Sequence, residues 1–157
     1  MNAQSRKKMQ DKSKGGGGVH MEIADAQKFL AVNHRGCLVA RKRDGWPQMT
    51  LVSPAIDAQG RVILTTRGTT YKVKNIRRDP RVSLLVFGDQ FHGSKYVQIH
   101  GTAEVIALPE AMDLLIHWHR QTKGEHPNWD DYREKMREER RVILRINIEK
   151  VGPNRRG

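Results

Sequence analysis

Between Tyr96 and Ile106 the apolar and small residues fall on every second position, with Val97, Ile99, Gly101, Ala103 and Val105 on one side of an extended chain. A period of two specifies a strand and cannot serve a helix, whose faces repeat every 3.6 residues. The alternation returns at Val142, Leu144, Ile146 and Ile148, and shorter strand-length runs occur at 36–40, 61–66 and 81–87. Asp44-Gly45 is a hairpin signal that sends the first run back along 47–55, and Asp57-Ala58-Gln59-Gly60 makes a second turn. The chain therefore opens as a β-meander. Nothing in it has the strand–helix–strand rhythm of a parallel sheet. The expected class is mainly β with outer helices, a six-stranded antiparallel split β-barrel.

Four segments repeat at helical spacing. Ile23, Ala26, Phe29 and Leu30 share a face over 22–32. Val73 and Ile76 lie inside a stretch that Thr69 or Thr70 can cap and that Asp79-Pro80 ends, because a residue before proline avoids helical geometry. Pro109 opens a third helix with the stripe Ala111, Leu114, Leu115 and Trp118. The fourth, Trp129 to Glu139, carries Asp130, Asp131, Glu134, Glu138 and Glu139 on a solvated face.

At 157 residues the chain has room for one domain that folds without staples, expected over 21–152. Residues 1–20, rich in Lys, Ser and Gln and running through Gly15-Gly16-Gly17-Gly18, read as a disordered basic tail, and 153–157 as a second basic tail. Cys37 is the only cysteine, so no intramolecular disulfide can form, and its apolar strand predicts a buried, inert thiol. There is neither a membrane-length apolar run nor an apolar signal core near the N-terminus, and the expected compartment is the cytoplasm.

The formal charge of +12 calls for an anionic partner. Phosphate, polycarboxylate and nucleic acid all qualify. Nucleic acid is disfavoured, since the aromatics are few and not interleaved with the basic run.

That basic run is the segment Thr65 to Arg81. Six of its residues are Lys or Arg, one is acidic, and hydroxyls crowd its first half. It leads from a strand end through a Gly-containing turn into a helix start, where unpaired N–H groups attract phosphate. Thr hydroxyls and a Lys or Arg complete such a cradle with charge-assisted hydrogen bonds. On local chemistry alone a basic surface helix with a polar cap reads equally well. The pattern is neither a Walker loop nor the three-glycine dinucleotide fingerprint. A metal site is not expected: His117 and His119 are two apart on a helix and point away from each other, whereas chelation favours a spacing of four. No nucleophile–base set suggests itself, and the catalytic residues are unknown at this stage.

Three stretches carry a family resemblance. They are Asp44-Gly45-Trp46-Pro47-Gln48; Thr65-Thr66 followed by Lys72-x-Lys74-Asn75-Ile76-Arg77-Arg78-Asp79-Pro80-Arg81; and Gly124-Glu125-His126-Pro127-Asn128-Trp129 leading to Arg140-Arg141-Val142. Over about residues 22–152 the chain resembles the pyridoxamine 5′-phosphate oxidase-like split-barrel superfamily, and within it the flavin/deazaflavin oxidoreductase branch that uses coenzyme F-420, an 8-hydroxy-5-deazaflavin. The resemblance implies a homodimer with cofactor sites at the interface. It implies a hydride transferred from the reduced deazaflavin to a small electron-poor acceptor, with FMN as the alternative cofactor and a non-catalytic carrier as the alternative role. Lys72 and Asn75 would hold the phosphate end, Thr65 and Thr66 would lie along the ring, and Gln48 would face it. Thr70 belongs to the same cradle, and Arg67 and Lys74 would stand near the phosphate or a polyglutamate tail. Trp129 and Arg133 match the branch without an assigned contact. Authentic pyridoxamine phosphate oxidases carry a C-terminal segment with substrate-binding Arg and His that has no counterpart here, so vitamin B6 oxidation is not expected. Phe91 and His92 lie in the loop where the branch varies, which reads either as the substrate side or equally well as an ordinary exposed loop.

Overall fold

The computed structural model describes residues 20–90 and 95–154. The expectations for the N-terminal tail, for Phe91 and His92 and for the last three residues lie outside them, apart from His20 at the tail's end.

In chain order the elements are α1 (Ile23–Val32), β1 (Arg35–Arg41), β2 (Pro47–Val52), β3 (Ala55–Ile56), β4 (Val62–Arg67), α2 (Tyr71–Arg78), β5 (Arg81–Phe87), β6 (Tyr96–Ile106), α3 (Met112–Lys123), α4 (Trp129–Glu138) and β7 (Arg141–Gly152). The strands form one sheet in the order β2-β1-β5-β6-β7-β4-β3, and every pairing is antiparallel. The sheet curls into a half-barrel.

The strand count is seven, not six. The segment expected as one returning strand, 47–55, is two. β2 stops at Val52 and β3 begins at Ala55, with Ser53-Pro54 between them. Pro54 has no N–H to offer a ladder, so pairing cannot run through it. The two-residue edge β3 is finished by a side chain: the Gln121 amide accepts from the Ile56 N–H at 2.8 Å and donates to the Ile56 carbonyl at 3.1 Å. The His117 ring reaches that same carbonyl at 2.9 Å.

Two apolar clusters explain the alternation. Inside the curl, Leu38, Leu64, Leu84, Ile99, Leu144 and Ile146 meet Ala26 and Leu30 of α1 and Val73 and Ile76 of α2. On the other face of the sheet, Ile63 and Ile143 meet Leu115, Trp118, Tyr132 and Met136 of α3 and α4. β4 and β7 are thus covered on both faces, which is why Val62-Ile63-Leu64 and Val142-Ile143-Leu144 are apolar without a break. β6 carries a bulge at His100/Gly101, and a Cβ on Gly101 would overlap the Asn147 carbonyl of β7.

Among the described residues no helix covers the outer face at the opposite end of the sheet. Met49 and Leu51 of β2 are 66% and 83% exposed, and in register beside them stand Val39 and Cys37 of β1. Cys37 is half-buried on this outer face, not buried as its apolar strand suggested, because neighbouring positions alternate between the two sides.

Candidate functional site

β4 leaves the sheet at Arg67 through a tight turn in which the Thr70 N–H reaches the Arg67 carbonyl at 3.2 Å. Thr70 is the N-cap of α2, but its hydroxyl does not cap the helix. It faces the Thr66 hydroxyl at 3.4 Å. Thr66 is buried and points into the curl with Leu64, whereas Thr65, one residue earlier, points to the opposite side with Ile63.

On that opposite side lies a cavity of about 480 Å³. Thr65 and Lys72 line it, together with Ser53, Trp118 and Tyr132. Its charged lining is Arg35, Lys72, Lys123 and Arg141, with no carboxylate among the described residues that face it. The Thr65 hydroxyl is buried there without a hydrogen-bond partner. Burial, and then the nearby charge of Arg141, push the Lys72 ammonium below its ordinary range. A buried hydroxyl lacking an acceptor and a desolvated cation beside a second cation both gain from one anion placed between them.

Two aromatic side chains of the cavity wall are tied to backbone carbonyls. The Trp118 indole donates to the Ser53 carbonyl at 2.7 Å, and the Tyr132 hydroxyl donates to the Leu115 carbonyl at 2.9 Å. Burial pushes the Tyr132 phenol up to about 12, so it stays protonated and tied to its carbonyl. Behind this wall the rings of His119, His126, Trp129 and Tyr132 meet at centroid distances of 5.0 to 5.7 Å. Trp129 packs on His119, His126 and Tyr132 without lining the cavity, while Arg133 faces Asp130 of its own helix at 3.2 Å.

Gln48 and Asn75 are elsewhere. The Asn75 amide donates to the Gln48 side-chain oxygen at 2.6 Å, and Arg78 donates to the Asn75 oxygen at 3.1 Å. Both residues line a separate, more open groove of about 750 Å³ between the β1–β2 hairpin and α2, with Lys42, Arg43 and Tyr71. Lys74 stands over the exposed Tyr71 ring at 5.3 Å. Arg67 points outward to Glu139 at 3.6 Å. Of the eight residues singled out in the sequence, the fold brings Thr65 and Lys72 together, joins Thr66 to Thr70, and pairs Gln48 with Asn75 away from that cavity. Lys72 and Lys74 diverge because residues two apart on a helix point in different directions.

Arg141, Trp118, Tyr132 and Arg35 were not singled out as site residues. Arg141 stands opposite Arg67 in the β4–β7 register, a neighbourhood that no local pattern announces. Trp118 was legible only as a member of an apolar helical stripe.

A curled antiparallel sheet with a cationic cavity between a strand end, a helix start and an outer helical wall defines a split-barrel protein. The family model for pyridoxamine 5′-phosphate oxidase matches residues 24–154, and the chain belongs to that family. Among solved structures it is similar to a conserved hypothetical protein of Mycobacterium tuberculosis, at 27% identity and a TM-score of 0.72, covering 88% of each chain. It is also similar in fold to an F-420 reductase, at 20% identity and a TM-score of 0.61, covering 80% of this chain and 94% of the other. A third similarity is to an FAD-binding protein of Mesorhizobium loti, at 22% identity and a TM-score of 0.59, covering 83% and 92%. No helix among the described residues is long and apolar enough to cross a membrane.

Proposed function

We propose that the chain binds a phosphate-bearing flavin or deazaflavin in the cavity of Thr65 and Lys72 and serves as an oxidoreductase, with coenzyme F-420 as the cofactor and FMN as the alternative. The observation that carries this reading is the unpartnered Thr65 hydroxyl beside a desolvated Lys72 in a cavity without carboxylates. That donor set fits a phosphate oxygen. The F-420 reductase and the FAD-binding protein with the same fold support the choice of ring.

In this reading the bound, reduced ring supplies hydride to a small electron-poor acceptor. The chain's own part is to anchor and to exclude water. Lys72 gives the phosphate a charged hydrogen bond, and Thr65 gives it a neutral one. Trp118 and Tyr132 keep the adjoining wall dry, which strengthens both interactions.

The functional unit in this reading is a homodimer. The uncovered face of β2 and β1, with Met49 and Leu51 exposed, is the surface a second copy would bury, and it adjoins the cavity through Leu51, Val52 and Gly36.

Titration with coenzyme F-420 and with FMN, followed by ring fluorescence, tests the proposal. Saturable binding of either ring, weakened by Lys72→Ala, is the expected result. Absence of binding to both removes the proposal. Tight FMN binding without F-420 binding moves the chain to the FMN alternative. Binding without turnover across enones, quinones and nitro compounds marks a carrier.

A further inference from the structure

Glu139 stands between two arginines. Its carboxylate takes the Arg141 Nε–H at 2.6 Å on one oxygen and faces the Arg67 guanidinium at 3.6 Å with the other. We propose that Arg141, positioned by Glu139, is the second anion-binding side chain of the cavity, and that through it this chain selects a phosphorylated ring over the same ring without phosphate. The inference rests on the function proposed above and adds a residue from outside the Lys72 segment.

Three observations place it. First, the register sets Arg141 opposite Arg67 at the first rung of β7, and the Gly68 N–H extends that ladder to the Arg140 carbonyl at 2.9 Å. The start of β7 is thereby fixed next to the turn that launches α2. Second, Arg141 lines the cavity with Lys72 and Thr65, and only about a quarter of its side chain is exposed, against more than half for Arg67. Third, a guanidinium has five N–H donors in a rigid fork, and Glu139 uses the one at the inner nitrogen. Among the described residues the fork's outer nitrogens have no hydrogen-bond partner and can serve a ligand.

Charge counting separates this role from that of a plain structural ion pair. Glu139 is one carboxylate among the cations Arg141, Arg67 and Lys135, and Lys72 lines the cavity with Arg141. Its own pKa is held below the usual carboxylate range, first by its hydrogen bond with Arg141, so it stays charged and cannot be spared. Of these cations, Arg141 and Lys72 line the cavity, and no carboxylate among the described residues lines it with them. A planar fork and an ammonium flanking a hydroxyl suit a tetrahedral oxyanion, which offers separate oxygens to each.

The test compares rings that differ in the phosphate. Dissociation constants are measured for FMN against riboflavin, and for coenzyme F-420 against its phosphate-free deazaflavin riboside, in the wild-type chain, Arg141→Met and Arg141→Lys. Loss of a charged hydrogen bond predicts that Arg141→Met weakens the phosphorylated ring about tenfold or more and leaves the phosphate-free ring within about twofold. Arg141→Lys, which keeps the charge but not the fork, is expected to recover about half of the lost discrimination on a logarithmic scale. Equal weakening of both rings in Arg141→Met, or no weakening of either, overturns the inference while leaving the proposed function intact. If Arg141→Met does not fold, Arg141→Lys decides: undiminished discrimination overturns the inference and a partial loss sustains it. A wild-type chain that binds none of the four compounds overturns both proposals.

Discussion

Asn75 of α2 donates its side-chain amide to Gln48 of β2 across 2.6 Å, and so couples the helix to the first hairpin. Asn75 is 8% exposed and also accepts from Arg78, so its two polar ends are both used within the fold. Asn75→Ala is expected to lower stability by about 1–3 kcal/mol, since it removes the hydrogen bond to Gln48 and one of the two that Arg78 makes, leaving that with the Arg41 carbonyl. Urea unfolding of the cofactor-free protein checks it. Unchanged stability with weakened cofactor binding would return Asn75 to the phosphate site that its motif suggested.

Lys72 is the converse case, a residue that the free protein holds at a cost. Burial and the Arg141 charge lower its pKa, so the folded state binds its proton less tightly than the unfolded state. Its destabilising contribution is fully present below the folded pKa and fades as pH rises toward 10.5. Lys72→Met should therefore leave the cofactor-free protein as stable as wild type or more so near neutrality, and should remove this part of the alkaline rise. In the same variant, affinity for the phosphorylated ring should fall by about 1.5–3 kcal/mol. Thermal unfolding across pH and a ring titration read the two effects separately.

Tyr132 predicts the opposite slope. Its folded pKa is raised from 10.0 to about 12, so between those values the unfolded chain has lost the proton that the native phenol still holds. Stability falls with rising pH across that window. Tyr132→Phe keeps the ring against the wall, gives up the bond to the Leu115 carbonyl, and should flatten the loss above pH 10. Denaturant midpoints measured from pH 9 to pH 12 in both proteins decide it. Persistence of an identical alkaline slope in the variant would assign that slope to another group.

The outer face of β2 bears on assembly. Leu51 and Met49 are exposed in register beside the half-buried pair Cys37 and Val39. If a second copy covers this face, the wild-type chain should sediment as a dimer, and Leu51→Glu combined with Met49→Glu should give a folded monomer. Sedimentation velocity with circular dichroism separates dissociation from unfolding.

Gly101 tests the β6–β7 bulge. A methyl group there would collide with the Asn147 carbonyl, and a backbone atom cannot rotate away. Gly101→Ala should cost about 1–3 kcal/mol, the usual penalty for overpacking, read as a lower unfolding midpoint without loss of the β signal.

Local order was open to inspection in the chain itself. The two-residue period of Tyr96–Ile106, the hairpin at Asp44-Gly45 and the helix ending at Asp79-Pro80 all appear where the pattern placed them, because each depends on neighbours within a few residues. The break at Pro54 was missed, although its chemical cause is written there, because the flanking apolar residues read as one strand. The basic segment from Thr65 to Arg81 suggested by composition an anion site or, equally well, a basic surface helix, and by motif a family. Its composition did not say which members face the anion.

That choice belongs to tertiary structure. The twist of α2 turns Lys72 toward the cavity and Lys74 toward Tyr71, and the β4–β7 ladder brings Arg141 to the same cavity as Lys72 from about half the domain away in sequence. Side-chain period is a property of a few consecutive residues, so sequence alone determines where most strands, turns and helix ends fall, though not the split at Pro54. Which cations line one cavity depends on long-range register, and only the curled sheet decides it.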